Sequence, residues 1–321
     1  MVSKEDTAKS IALRPAFGIP GWLSFSLAQA DRLHCRFRRR TLRTFPFSRL
    51  RAHNYRKRLK AFARSVRESG LTREIWSAAE STGALMLDQR DTSLLFGTDV
   101  IALCENARAI LDAHQNFFLE NESAIFLGSE KLVAVCPEYF RLGLAPAILD
   151  LAEACLGLDC LYLGATLKRE RADGRVVGTR RWHLDIEDER VFRILVYLSP
   201  VAPDGGPFEY FPRETSRIIK ARLNYRTGPV GEAQMAAVAP EALMRRAVGV
   251  AGEAIVFDSA GIFHRNQVPL GRDRYSITFA YCSRQPLELR SPARLPAPLH
   301  RRFLSTLSLR ERRAIPPPRF F

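Results

Sequence analysis

In the segment Arg181-Trp182-His183-Leu184-Asp185, an imidazole and a carboxylate stand two residues apart. At the end of a strand, residues two apart share a face, so His183 and Asp185 present their side chains together and Leu184 turns away. A neutral imidazole and a carboxylate suit a first-row divalent metal, and a second imidazole on the same face leaves three coordination positions open. His264 supplies it. It follows the strand-like run Gly252–Asp258, within Gly261-Ile262-Phe263-His264-Arg265-Asn266, and lies 79 residues beyond Asp185. His34, His53, His114 and His300 lack such company and read as non-ligands.

Ten residues after His264, Arg274 and Ser276 open the run Arg274–Tyr281. As a strand, this run puts Arg274, Ser276, Thr278 and Ala280 on one face and Tyr275, Ile277, Phe279 and Tyr281 on the other. The apolar face must pack against a core. The polar face must line a solvated or ligand-filled space, because an unpaired buried guanidinium is costly. A dicarboxylate forked on Arg274 and hydrogen-bonded to Ser276 satisfies both demands.

These residues need a scaffold that brings 183–185, 264 and 274–276 to one place. After Asp159, strands are predicted over Leu161–Arg169, Val176–Asp185, Phe192–Ser199, Pro207–Phe211, Glu253–Phe257 and Arg274–Cys282, with turn signals at Asp173-Gly174, Pro203–Gly206 and Gly271–Asp273. Before it the pattern is helical: an amphipathic run from Tyr55, then Thr72–Ser81, 99–117 and 146–156, with a short strand at Gly83–Leu87. The fold class expected is a mainly β core with α additions, the β part an antiparallel double-stranded β-helix buttressed by the N-terminal helices. Three regions follow: a basic, weakly structured segment 1–54; a catalytic domain 55–284, with helices over 55–157 and a core of about 160–284 interrupted by an insert at 213–250; and a Pro/Arg-rich tail 285–321, with a short helix expected over His300–Ala314.

The net charge of +15 is concentrated at the ends: residues 32–67 hold fourteen Lys/Arg and no acid, and residues 284–321 hold nine against two. A mildly acidic body therefore carries two basic flanks. Nucleic acid or an acidic membrane surface could dock there, although solvated arginine-rich flanks explain them as well. The six cysteines form no C-x-x-C pair, which fits free thiols in a reducing compartment and a cytoplasmic location. The stretch 15–30 loosely imitates a secretory leader, but Pro15 and Pro20 break it and Arg36–Arg40 follow closely, which opposes export.

The stretch His183–Pro212, with Phe192-Arg-Ile-Leu-Val-Tyr-Leu-Ser-Pro200 and Gly205-Gly-Pro-Phe-Glu-Tyr-Phe-Pro212, resembles the phytanoyl-CoA dioxygenase branch of the 2-oxoglutarate oxygenases, over about residues 160–284. The resemblance implies a jelly-roll core, Fe(II) held by His183, Asp185 and His264, and 2-oxoglutarate and O2 as co-substrates. It also implies that Arg274 takes the distal carboxylate with help from Ser276. Asp185 stands where halogenating relatives have a small residue, so hydroxylation, desaturation or ring closure is implied. The Pro-Gly-Ser-His common after the fourth core strand is replaced by Pro212-Arg213-Glu214-Thr215. The substrate expected is a small metabolite, lipid-like or natural-product molecule, with Tyr162, Lys168, Arg180, Glu209 and Tyr210 as candidate pocket residues. Two other readings stand beside it: an oxygenase acting on a macromolecule docked through the basic ends, and a non-catalytic jelly-roll binding module.

Overall fold

A computed structural model of the chain describes residues 46–62, 70–113, 123–289 and 293–318, and a few positions between 33 and 44. The leader-like stretch 15–30 and His114 lie outside the described residues.

Helices come first: α1 (Phe47–Phe62), α2 (Gly70–Thr82), then after strand β1 (Ala84–Leu87) α3 (Gln89–Phe96) and α4 (Val100–Ala113). Strand β2 (Ala124–Leu127) precedes α5 (Ser129–Val135), α6 (Pro137–Leu142) and α7 (Pro146–Leu156). Helix α7 opens on proline and ends at Gly157, whose φ of +64° takes the left-handed cap position. It buries one wide face, Ile148, Leu149, Leu151, Ala152, Cys155 and Leu156, between α2 and the sheet, while Asp150 and Glu153 on the other side pair with Arg310.

The remaining strands are β3 (Cys160–Glu170), β4 (Phe192–Tyr197), β5 (Phe208–Tyr210), β6 (Arg245–Ala247), β7 (Ala254–Asp258), β8 (His264–Asn266) and β9 (Arg274–Ser283). They form a six-stranded sheet in the order β1-β7-β4-β9-β3-β2 and a three-stranded sheet in the order β6-β5-β8, and every pairing is antiparallel. The bridge between His183 and His264 adds a short fourth rung beyond β8. From β3 onward the chain visits the two sheets alternately in most of its steps, which is jelly-roll topology.

Alternation along β9 sorts the two faces. Ile277, Phe279 and Tyr281 join the core packed under the helices, while Ser276, Thr278 and Ala280 turn toward the space between the sheets. Strand β3 does the same with one interruption. A β-bulge lies between Tyr162 and Gly164, where register with β9 slips, so Tyr162 faces the helices while Thr166 and Lys168 face the inter-sheet space. Gly164 sits in that bulge at φ +108°, and a Cβ there would fall 1.9 Å from Ser129 Oγ. Both the backbone and the space require glycine.

Several expectations are corrected. The stretch 176–185 is not a continuous strand. Gly178–Arg180 makes a 3-10 turn, and Arg180 folds inward to donate to the carbonyls of Ser123, Arg171 and Arg175. The insert 213–250 holds α8 (Arg213–Arg222) and α9 (Glu232–Val238), which pack through Ile219 and Met235 on Trp182, Phe211 and Phe263 at the outer face of the small sheet. It also contains β6, a strand of the core itself. The Pro/Arg-rich tail is packed, and two short helices stand where one was expected. Helices α10 (Ala297–Leu304) and α11 (Leu309–Ala314) place Phe303, Leu307, Ala314 and Ile315 in the main hydrophobic cluster, and Phe303 meets Phe140 edge-on at 5.2 Å. Residues 47–54 of the basic N-terminal segment are helical, and Arg51 ties α1 to the buried Asp188 at 2.5 Å. Among the described residues, no helix is long and apolar enough to cross a membrane.

Candidate metal centre

His183 and His264 exchange backbone hydrogen bonds in both directions, each 3.1 Å, which clasps two residues 81 positions apart. The backbone N–H of Asp185 is held by Ser259 O at 3.0 Å. With their backbones fixed, the ring centroids of His183 and His264 lie 4.3 Å apart. One ligand atom from each of His183, Asp185 and His264 falls within 4.8 Å of the others. Among the described residues, this is the one such group of three or more His, Cys, Asp or Glu.

The outer hydrogen bonds set the tautomers. His183 Nδ1 lies 2.8 Å from Arg181 O and His264 Nδ1 lies 3.1 Å from Ile262 O. A carbonyl oxygen only accepts, so each Nδ1 carries the proton and each Nε2 keeps a lone pair for a metal. Burial, then the neighbouring His183, pushes His264 down to about 3, so its imidazole is neutral at physiological pH.

Arg193 completes the centre, and the sequence reading did not single it out. Its Nε donates to Asp185 Oδ2 at 2.5 Å and to Ser259 Oγ at 3.3 Å, and its Nη2 reaches Glu187 at 3.4 Å. Burial opposes ionisation of Asp185, but the Arg193 guanidinium, followed by the two imidazoles, outweighs it and holds the carboxyl well below the usual carboxylate range. Oδ2 is thereby engaged, while Oδ1 stays 3.7 Å from His183 Nε2. That arrangement favours one carboxylate oxygen toward a metal. A signal was present: Arg193 is the one charge in the otherwise apolar strand Phe192–Tyr197 and needs a buried partner.

The centre opens into a cavity of about 410 Å³ between the sheets. Phe208, Leu195 and Phe257 give it an apolar wall, and Phe208 stacks on the His264 ring at 5.5 Å. Its polar lining includes Lys168, Thr166, Thr179, Asn266, Ser276 and Thr278. A second opening of about 590 Å³ shares His183, Asp185, Glu187 and Arg193 with the first and is edged by Thr227, Gly228 and Pro229 from the α8–α9 connection.

The remaining candidate residues divide sharply. Lys168 and Ser276 are opposite one another in the β3–β9 register, and both line the cavity. Arg274 is fully buried and is not part of the lining. It forms an ion pair with Glu170 and donates to Gly206 O. Tyr162 faces the helices, donating to Phe140 O at 3.0 Å and stacking on Tyr281 at 5.1 Å. Arg180 is a clamp, bound to Asp173 at 2.7 Å and to three carbonyls. Glu209 is buried between Arg246 and Arg265 on the other face of β5, at 2.8 and 2.7 Å. Tyr210 packs on Phe208 in the inter-sheet apolar cluster. In the run Glu187-Asp188-Glu189, Asp188 is buried and accepts from Ser283 N at 3.0 Å.

No family model matches the chain, and no curated protein matches it. Solved structures do. HygX from Streptomyces hygroscopicus, with nickel and 2-oxoglutarate bound, is similar at a TM-score of 0.47 and 18% identity, over 66% of this chain and 87% of that one. EctD from S. alaskensis, with 2-oxoglutarate and 5-hydroxyectoine, is similar at 0.46 and 20% identity, over 71% and 78%. SnoN, a non-heme alpha ketoglutarate dependent epimerase from nogalamycin biosynthesis, is similar at 0.44 and 13% identity, over 66% and 80%.

Proposed function

We propose that the chain is a non-haem Fe(II)- and 2-oxoglutarate-dependent oxygenase that hydroxylates, desaturates or cyclises a small molecule. What supports this reading most is the convergence of His183, Asp185 and His264 on one point, with both Nδ1 atoms tied back and both Nε2 atoms left for a metal. Two imidazoles and one carboxylate on a single face, with the rest of the coordination sphere open to a cavity, are the donor set that fits Fe(II) in such enzymes. Bound there with 2-oxoglutarate and O2, iron supplies oxidation of a C–H bond coupled to oxidative decarboxylation of the co-substrate.

The chain's own residues do the positioning. His183 and His264 are held in one tautomer by Arg181 O and Ile262 O. Arg193 keeps Asp185 ionised and occupies one of its oxygens. Phe208, Leu195 and Phe257 keep bulk water from the inner wall. The polar lining around Ser276 suits the far end of a dicarboxylate. The second opening, edged by Thr227–Pro229, gives a small substrate a route to the same ligands. Cavities of this size are typical of small-molecule sites.

The test is anaerobic addition of Fe(II) and 2-oxoglutarate, watched for the visible charge-transfer band of the chelate. The band is expected in the wild type and absent in His183→Ala and His264→Ala. A wild type without the band, or a band unchanged by both substitutions, refutes the assignment.

A further inference from the structure

The excess positive charge sits at the two ends of the sequence, and the fold seats both ends around α7. Helix α1 carries six Arg or Lys and no acid. Its inner side is held to the body: Arg51 pairs with Asp188 at 2.5 Å and with Glu189 at 3.3 Å, and Arg58 Nη2 donates to Ser283 Oγ at 3.3 Å. Leu59 packs so closely on Gly157, at the end of α7, that a Cβ there would fall 2.8 Å from it. The outer side is a stripe. Arg49, Arg56, Lys57 and Lys60, with His53 among them, recur at three- and four-residue steps and are all exposed. The stripe is about 16 Å long.

Helix α11 belongs to the other basic end. It is fixed to the outer side of α7 by Arg310, which pairs with Asp150 and Glu153, and Arg312 and Arg313 beside it are exposed. Exposed Arg284 joins the C-terminal end of α1, in a cleft with Arg58, Leu158 and Asp159. The acids nearby are largely answered within the protein: Asp150 and Glu153 by Arg310, Glu189 by Arg51. The outward cations are left for an external anion. Apolar side chains stand among them. Leu50 and Phe47 on α1 are 59% and 48% exposed, and Leu309 on α11 is 75% exposed. A polynucleotide would engage the cations through its phosphates and leave these apolar groups in water. An acidic bilayer takes both, the headgroups pairing with Arg and Lys and the acyl boundary receiving Leu and Phe. The face also adjoins the metal centre: Arg51 binds Asp188 and Glu189, next in the chain to Glu187, which lines both openings.

We propose that α1 and α11 together form a docking face for a membrane of anionic phospholipid, held by the basic stripe and by shallow insertion of Leu50 and Leu309. The contact is peripheral and reversible, and it is independent of the oxygenase reading.

The experiment sediments the full chain with vesicles of phosphatidylcholine alone or of phosphatidylcholine mixed with phosphatidylserine, and follows binding to a short DNA duplex by fluorescence anisotropy. The wild type is expected to bind the mixed vesicles and not the neutral ones. Raising salt to about 1 M, where charges are screened within about 3 Å, should release most of it. Joint replacement Arg56→Gln, Lys57→Gln and Lys60→Gln should weaken vesicle binding by about 100-fold. Joint replacement Leu50→Ser and Leu309→Ser should weaken it by about 10-fold and leave duplex binding as it was. All five positions are exposed, and unchanged thermal unfolding verifies that the variants fold. No binding to the mixed vesicles at low salt overturns the proposal, as does binding that survives the glutamine replacements or is indifferent to the serine replacements. Tighter binding to the duplex than to the vesicles also overturns it and assigns the face to nucleic acid.

Discussion

The Glu170–Arg274 pair makes a quantitative prediction about stability that is independent of catalysis. Removing one partner of a buried ion pair costs about 3–5 kcal/mol, because the survivor is left without its counter-charge, whereas replacing both by apolar groups is often near neutral. The structure adds an asymmetry. Glu170 without Arg274 still has Lys168 at 2.6 Å and Arg180 at 3.9 Å. Arg274→Met should therefore fall at the low end, about 3 kcal/mol. Glu170→Met strips the counter-ion from Arg274 and Lys168 together, and should reach the upper end, about 4–5 kcal/mol. The double variant should lose at most about 2 kcal/mol, giving a coupling energy of several kcal/mol. Urea unfolding of the metal-free proteins, followed by fluorescence of the buried Trp76 and Trp182, measures all four corners of the cycle. Additive losses, or an Arg274→Met variant less stable than Glu170→Met, would refute this charge accounting.

Gly164→Ala forces a Cβ into Ser129 at a positive φ, and a loss of about 2–4 kcal/mol is expected by thermal or urea unfolding. Tyr162→Phe removes a single hydrogen bond to Phe140 O on the helix side; about 1 kcal/mol of stability should go, with 2-oxoglutarate binding unaltered. For pH, His264 is depressed from its ordinary 6.5 to about 3, so between those values the unfolded chain binds the extra proton. The metal-free protein should lose stability progressively as pH falls from about 6.5 toward 3, and His264→Gln should flatten that slope in urea midpoints taken at several pH values. Deleting residues 293–321 strips Phe303, Leu307 and Ile315 from the main core, so the truncated chain should aggregate or melt well below the full chain in a thermal scan.

What could be read in the sequence was what repeats over enough residues to show its period. Strand β9 reveals its two faces over ten residues, and helix α7 is bracketed by Pro146 and Gly157. Strand β6 has three residues, of which Arg245 and Arg246 are exposed and Ala247 is buried; one inward alanine carries no period, so the strand was lost inside an apparent insert. Tyr162 was misplaced because a bulge reverses the alternation between it and Lys168. A uniform two-residue period puts both on one face. Arg274 illustrates a different limit. The strand pattern requires a partner for a buried guanidinium; the structure also sets Glu170 beside it on the neighbouring strand, and pairings between strands are not written in either strand alone. The C-terminal region was legible as helical over His300–Ala314, but not as packed: its arginines and prolines dominate the composition, while the few apolar residues among them, Phe303, Leu307 and Ile315, enter the core.

The clasp between His183 and His264 has a thermodynamic consequence. Drawing together two points 81 residues apart costs loop-closure entropy, and backbone hydrogen bonds and sheet pairing between them offset that cost. Coordination then restricts little more than three side-chain rotors. The metal-free chain should consequently be as folded as the loaded one, and stripping the metal with a chelator should be reversible without passing through an unfolded state. Under the proposed function, ion affinity should then be set by the ligands themselves and not drawn down by the work of assembling them.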